Sequence, residues 1–208
     1  MNLTEKARQM LARNLPLEDA LPTQMPTYVN SVAYLFGAAT LAALAMLIVT
    51  GGILTIFGPG WHHVSDVGRF VDALHFWSAQ AFFASLAAHM ATKFFQAAWR
   101  HNRWKTWVLG LLTFGVAVFA GLTGYLSQTN FDSQWASVQA KDAMNSVGLG
   151  RFFNTMNLGQ VLTLHVAVLP AIIVALVGLH LFFVRRDGPV LPIGERKARL
   201  GERDEQAH

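Results

Sequence analysis

The sequence predicts an all-α membrane protein, a four-transmembrane-helix bundle preceded by an N-terminal surface helix. Three observations predict it. Hydrophobic residues make up 53% of the 208 and charged residues only 13%, about half the charged share of an ordinary soluble domain. The sixteen Lys and Arg are mostly absent from four long apolar runs, each near the ~20 residues that cross a hydrocarbon core of ~30 Å. Two of those runs also carry a pair of histidines, His75 and His89 fourteen residues apart and His165 and His180 fifteen apart.

The composition excludes much else. There is no cysteine, so disulfides, thiolate zinc sites, iron–sulfur clusters and thioether-linked haem are ruled out. A metal must be held by His, Met or carboxylate. The net charge of +4 reads as basic residues flanking a membrane, and no nucleic-acid partner is expected. The opening MNLTEKARQM lacks the apolar core and cleavage site of a signal peptide.

Taken in order, residues 1–30 form an amphipathic surface helix and a Pro-rich entry. Thr4 caps the helix, Leu3, Ala7, Met10 and Leu11 share one side of it, and Pro16, Pro22 and Pro26 make the approach to the bilayer irregular. Residues 31–186 hold the four spans. The first is expected over Val32–Phe57 and is ended by Gly58-Pro59-Gly60. The loop GWHHVSDVGR leads into the second, about Asp72–Ala98, with His75 and His89. A basic connector, Trp99 to Lys105, precedes the third, about Thr106–Leu126. Residues 127–158 are polar and read as a loop with a short surface helix. The fourth runs from about Gly159 to Val184 and holds His165 and His180. Residues 187–208 form a charged tail. Arg100, Arg103, Lys105, Arg185, Arg186 and the run Arg196 to Arg199 far outweigh Arg69, Lys141 and Arg151 on the alternate loops. The positive-inside rule therefore places both termini and the middle connector in the cytoplasm.

Fourteen residues at 3.6 per turn return to nearly the same helix face, roughly 21 Å along the axis. Two helices with one histidine near either end can clamp two stacked haems between them, each iron taking one imidazole from each helix. Ionisable side chains within a membrane are costly and ordinarily face a functional interior. One such histidine is commonly an interhelical hydrogen-bonding residue; four of them, in two pairs of matching depth, favour haem. The charge rule pairs the same histidines by depth: His75 with His165 near the outer face, His89 with His180 near the inner. Gly37 and Gly51 in the first span, and Gly110 and Gly124 in the third, repeat the spacing of fourteen. A flat porphyrin needs close backbone approach, which glycine permits, although small-residue helix packing explains any one of them alone.

At this point the residues resemble the cytochrome b family of quinol–cytochrome c oxidoreductases, in its short four-helix, b6-type form. The carriers are YLFGAATL in the first span, LHFWSA in the second, TWVLG and GLTGYLS in the third, and LHVAVLP with VRRDGP around the fourth. The resemblance covers about Pro26 to Pro192. It implies two non-covalent haem b groups, ligated by His75/His165 and His89/His180, with Gly37, Gly51, Gly110 and Gly124 at the haem edges and quinone as substrate. It places Arg185 and Arg186 where the family has a basic pair at the inner quinone site. The arginines that the family sets around the outer haem are Asp72, Phe76 and Gln160 here, which leaves Arg69 and Arg151 as the outer-side candidates for its propionates. The family's Leu-Pro-Trp after Gly-Tyr is Ser127-Gln-Thr-Asn-Phe131, the loop from Trp135 to His165 is shorter than usual, and a b6-type cysteine for an extra haem corresponds to Leu35.

The function so implied is a diheme electron-transfer subunit of a membrane quinol/quinone oxidoreductase, not catalytic alone. Its partners would be a second membrane subunit completing the quinone site, iron–sulfur and cytochrome c subunits, and the lipid bilayer, in a dimeric complex of the bacterial inner membrane. An alternative is the same haem bundle serving as membrane anchor of a hydrogenase or dehydrogenase. A non-redox structural bundle is a third.

Overall fold

The computed structural model describes residues 4–6, 9, 31–100, 102–188 and 190. The surface helix and Pro-rich entry expected over 1–30, and the tail expected over 187–208, lie for the most part outside the described residues. Among the described residues every regular element is helical.

Helix α1 covers Val32–Phe57, the bounds its uninterrupted apolar run predicts. Ser31 caps it, its hydroxyl accepting from the Tyr34 amide at 3.2 Å. Gly58, at φ 87°, ends it and donates its N–H to Leu54, a left-handed stop natural to glycine. The following loop is more ordered than its polar sequence suggests. Trp61–Val64 form a single turn, α2, and α3 begins at Asp66, earlier than expected, and runs to Phe95. Ser65 caps α3, and Asp66 in the first turn complements the helix dipole. The fold needs glycine at position 68, because a Cβ there would meet the Trp61 carbonyl oxygen at 2.7 Å.

Helix α4 covers Trp104–Leu126. Within the polar stretch, α5 covers Phe131–Ser146 and opens on a reciprocal capping box between Asn130 and Ser133. Helix α6 covers Leu158–Asp187, capped by Asn157, which accepts from the Gln160 amide at 3.2 Å. It is α-helical over Leu158–Thr163, widens to a π turn over Leu164–Val168, and is α-helical again over Leu169–Asp187. Pro170 explains the widening. It has no N–H to donate to Val166, and in a regular α-helix its ring would press on that carbonyl, at a cost of about 3 kcal/mol. The π turn relieves this by letting Leu169 N–H reach back to the Leu164 carbonyl.

Three helices, α1, α4 and α6, are long and apolar enough to cross a membrane by length and composition. The fourth expected span is α3. Its 30 residues extend about 45 Å, but His75, His89, Gln80, Ser78 and Ser85 dilute its apolar character. The residues that lower its hydropathy include the two histidines that make it interesting. α3 packs antiparallel along α1, and α6 along α4.

The core lies in the middle of the bundle. Phe82, Leu86, Ala117 and Ile173 are buried together, with Leu44, Leu47, Phe83, Phe114 and Val177 packed around them. Phe82 is midway between His75 and His89, Ala117 midway between Gly110 and Gly124, and Leu44 midway between Gly37 and Gly51. An apolar layer thus separates two levels at which polar imidazoles enter the bundle.

Candidate haem sites

The helix registers bring the four histidines and four glycines together in two levels. At one, the His75 and His165 rings lie with centroids 6.2 Å apart and planes at 88°. A Cβ built on Gly51 would sit 3.1 Å from His75, and one on Gly124 would sit 2.6 Å from His165. At the other, His89 and His180 are near enough to interact electrostatically. A Cβ on Gly37 would be 3.1 Å from His89, and one on Gly110 would be 3.3 Å from His180. Each glycine therefore faces one imidazole, and each helix contributes one residue to each level.

The hydrogen bonds of the first level set the tautomers. Thr50 donates its hydroxyl proton to the Met46 carbonyl at 2.6 Å, so its oxygen accepts from His75 Nδ1–H at 2.8 Å. His165 Nδ1–H donates to the Ala120 carbonyl at 3.0 Å, with the Thr123 hydroxyl 3.4 Å away. In both rings Nδ1 carries the proton and Nε2 keeps its lone pair free, the state in which imidazole binds a metal. At the second level Nδ1 of His89 and Nδ1 of His180 are buried without a hydrogen-bond partner.

Sequence reasoning missed the two threonines that meet these rings. Thr50 and Thr123 are 2% and 0% exposed, and each immediately precedes a facing glycine. The repeated Thr-Gly dipeptide was the available signal. Isolated threonines in apolar helices ordinarily bond their own backbone four residues back, as both also do here.

The arginines are placed differently. Arg69 is ion-paired to Asp66 on the exposed start of α3, and Arg151 is exposed in the turn between α5 and α6. Arg186 bonds Asp187 at 2.8 Å and lies over the Phe183 ring at 4.5 Å, while Arg185 is exposed. Near the Thr129 end of α4 a cleft of about 430 Å³ is lined by Leu126, Phe131, Trp135, Val138, Thr155 and Met156 among others.

Helices of this length and apolarity, packed about two levels of paired imidazoles, make the chain an integral membrane protein of the helical-bundle class. Residues 80–203 match the family described as cytochrome b(N-terminal)/b6/petB. That is more than half of the chain, and the protein belongs to this family.

Among similar proteins is the cytochrome bc1 complex cytochrome b subunit of Mycobacterium bovis, 28% identical over 195 residues, 73% of this chain and 35% of that one. The menaquinol:cytochrome c reductase cytochrome b subunit of Geobacillus thermodenitrificans is 26% identical over 199 residues, 82% of this chain and 89% of that one. Cytochrome b6 of Heliobacterium modesticaldum is 24% identical over 193 residues, 82% of this chain and 91% of that one. This chain thus spans about a third of the mycobacterial proteins and nearly the whole of the other two. A solved chain of a hyperthermophilic respiratory Complex III shares the fold, with TM-score 0.71 and 23% identity over 87% of this chain and 55% of that one.

Membership of the family implies haem b, and the residues present fit that group. Among the described residues no three His or carboxylate groups converge; the residues that would hold the iron of such a group are the paired imidazoles. Two metal–imidazole bonds of about 2 Å each, with the ring radii added, span about 6 Å, and the His75 and His165 centroids are 6.2 Å apart. The glycines leave open the space beside the rings that a Cβ would fill.

Proposed function

We propose that this chain is the diheme cytochrome b subunit of a bc1/b6f-type quinol oxidoreductase, holding one haem b between His75 and His165 and a second between His89 and His180. The observation that carries the reading is the fourfold match of depth: four helices each give one ligand or one facing glycine to each level. Bound there, haem b would supply one-electron transfer, and an imidazole from each of two helices would leave no position for oxygen. The chain's own part is to orient and insulate. Thr50 and the Ala120 carbonyl fix the ring tautomers, Gly51 and Gly124 open the space, and the Phe82–Ala117–Ile173 layer keeps water from the region between the levels.

The rest of the complex comes from other chains. A second membrane subunit completes the quinone sites. Iron–sulfur and cytochrome c subunits take electrons on the outer side, in a dimeric complex of the bacterial inner membrane with both termini of this chain cytoplasmic. Arg69 and Arg151 stand on the side of the His75/His165 haem, where its propionates need a donor or cation. Arg185 flanks an inner quinone site, with Arg186 already engaged by Asp187.

The test is a reduced-minus-oxidised spectrum of the purified complex together with acid–acetone extraction. Two low-spin b-type haems per chain, both extractable, are expected. One haem or none, or haem that resists extraction, overturns the proposal.

A further inference from the structure

The two histidine pairs have unequal spacing in sequence, fourteen residues on α3 and fifteen on α6, yet they meet level with level. The partners across α6 show what spacing it must present. Gly110 and Gly124 are fourteen apart on α4, an uninterrupted α-helix, and they touch His180 and His165 respectively. His165 also pairs with His75, whose own partner His89 lies fourteen residues on along an α-helix without interruption. A plain α-helix with fifteen residues between the histidines would turn His165 about 100° from this register and displace it about 1.5 Å along the axis.

We infer that the π turn at Leu164–Val168, held open by Pro170, is a register device that absorbs the one surplus residue of α6 and makes its fifteen-residue spacing equivalent to fourteen. Leu169 N–H bonds the Leu164 carbonyl five residues back, so the turn holds one residue more than an α turn without added rotation. His165 lies inside this turn and His180 beyond it, and the correction therefore falls between them. Pro170 is a positioning residue: it has no N–H with which to close the turn to α geometry. This inference rests on the diheme reading, since it is the pairing of imidazoles that gives the register its purpose.

The experiment compares one-residue deletions in the full complex, each leaving the two histidines of α6 fourteen residues apart. In the first, Val168 is removed and Pro170→Ala is added, which turns the π turn into an ordinary α turn. In the second, Val174 is removed and the π turn is kept. Haem per chain, the low-spin EPR signals and the amount of chain in the membrane are measured for both. The first variant should keep two haems with the parent's EPR signals. The second should insert as well as the first and hold at least one haem fewer. Removing Ala167 with Pro170→Ala repeats the first variant at another position in the turn, in case Val168 is needed for packing. If both turn-closing deletions lose haem, or if removal of Val174 leaves two haems with unchanged signals, the inference is wrong. A parent complex without two bis-imidazole haems overturns the diheme reading instead, which separates the two failures.

Discussion

Adding one methyl group at Gly124 should strip one haem and spare the other. An alanine Cβ there would lie 2.6 Å from His165 Cε1, 3.1 Å from Nε2 and 3.2 Å from Nδ1, where carbon atoms ordinarily rest about 3.5–4.0 Å apart. The ring has little freedom to withdraw, because Nδ1 is bonded to the Ala120 carbonyl at 3.0 Å on the same helix as the new methyl. Breaking that bond costs about 1 kcal/mol, and overpacking of this kind costs about 1–3 kcal/mol. At 1.4 kcal/mol per tenfold, haem affinity at the His75/His165 level should fall by about one to two powers of ten. Weakening of α4 cannot account for such a loss, since Gly→Ala within a helix is itself stabilising by about 1 kcal/mol. At Gly110 the nearest approach would be 3.3 Å, to His180 Cε1, close enough to a normal contact for the ring to accommodate. Gly110→Ala should therefore leave both haems in place, while Gly110→Leu should remove the one at the His89/His180 level. The assay is haem per chain in the purified complex, with the two haems resolved by redox titration. Equal loss of both haems in Gly124→Ala, no loss at all, or greater damage from Gly110→Ala would refute the reasoning.

Two further outcomes are expected. Thr50→Val keeps the shape of a 2% exposed side chain but removes the acceptor of His75 Nδ1–H, so affinity for the haem at that level should fall roughly tenfold and its potential should shift; an unchanged potential in the redox titration would show that the Thr50 contact does not tune the ligand. The isolated chain, purified with its haems, should accept electrons but not turn over quinol, because a proton-coupled site needs a base within reach of the quinol hydroxyl and the carboxylates of the segment between α4 and α6, Asp132 and Asp142, are both exposed on α5. Sustained, inhibitor-sensitive quinol oxidation by this chain alone would place the active site within it.

The sequence by itself determined the helical class, the bounds of α1 and the end of α4. These follow from local rules: an uninterrupted apolar run, a glycine stop, and a polar stretch that bonds poorly in lipid. It also placed the two histidine pairs and the four glycines at two approximate depths, because α-helical periodicity converts spacing into axial distance, and for the spacings of fourteen it fixes the face as well. Only the tertiary structure decided which glycine faces which imidazole. The pairs Gly37 with His89, Gly51 with His75, Gly110 with His180 and Gly124 with His165 depend on antiparallel contact between helices far apart in sequence. Thr50 and Thr123 stayed hidden for the same reason. A threonine's second hydrogen bond, beyond the one to its own helix, exists only when a ring from another helix arrives. The π turn in α6 is the sharpest case. Pro170 marks a break in the backbone ladder, but proline alone leaves open whether the helix kinks or widens. Packing of His165 and His180 against an uninterrupted α4 accompanies the widened turn, since fifteen α-helical residues cannot match a partner spaced by fourteen.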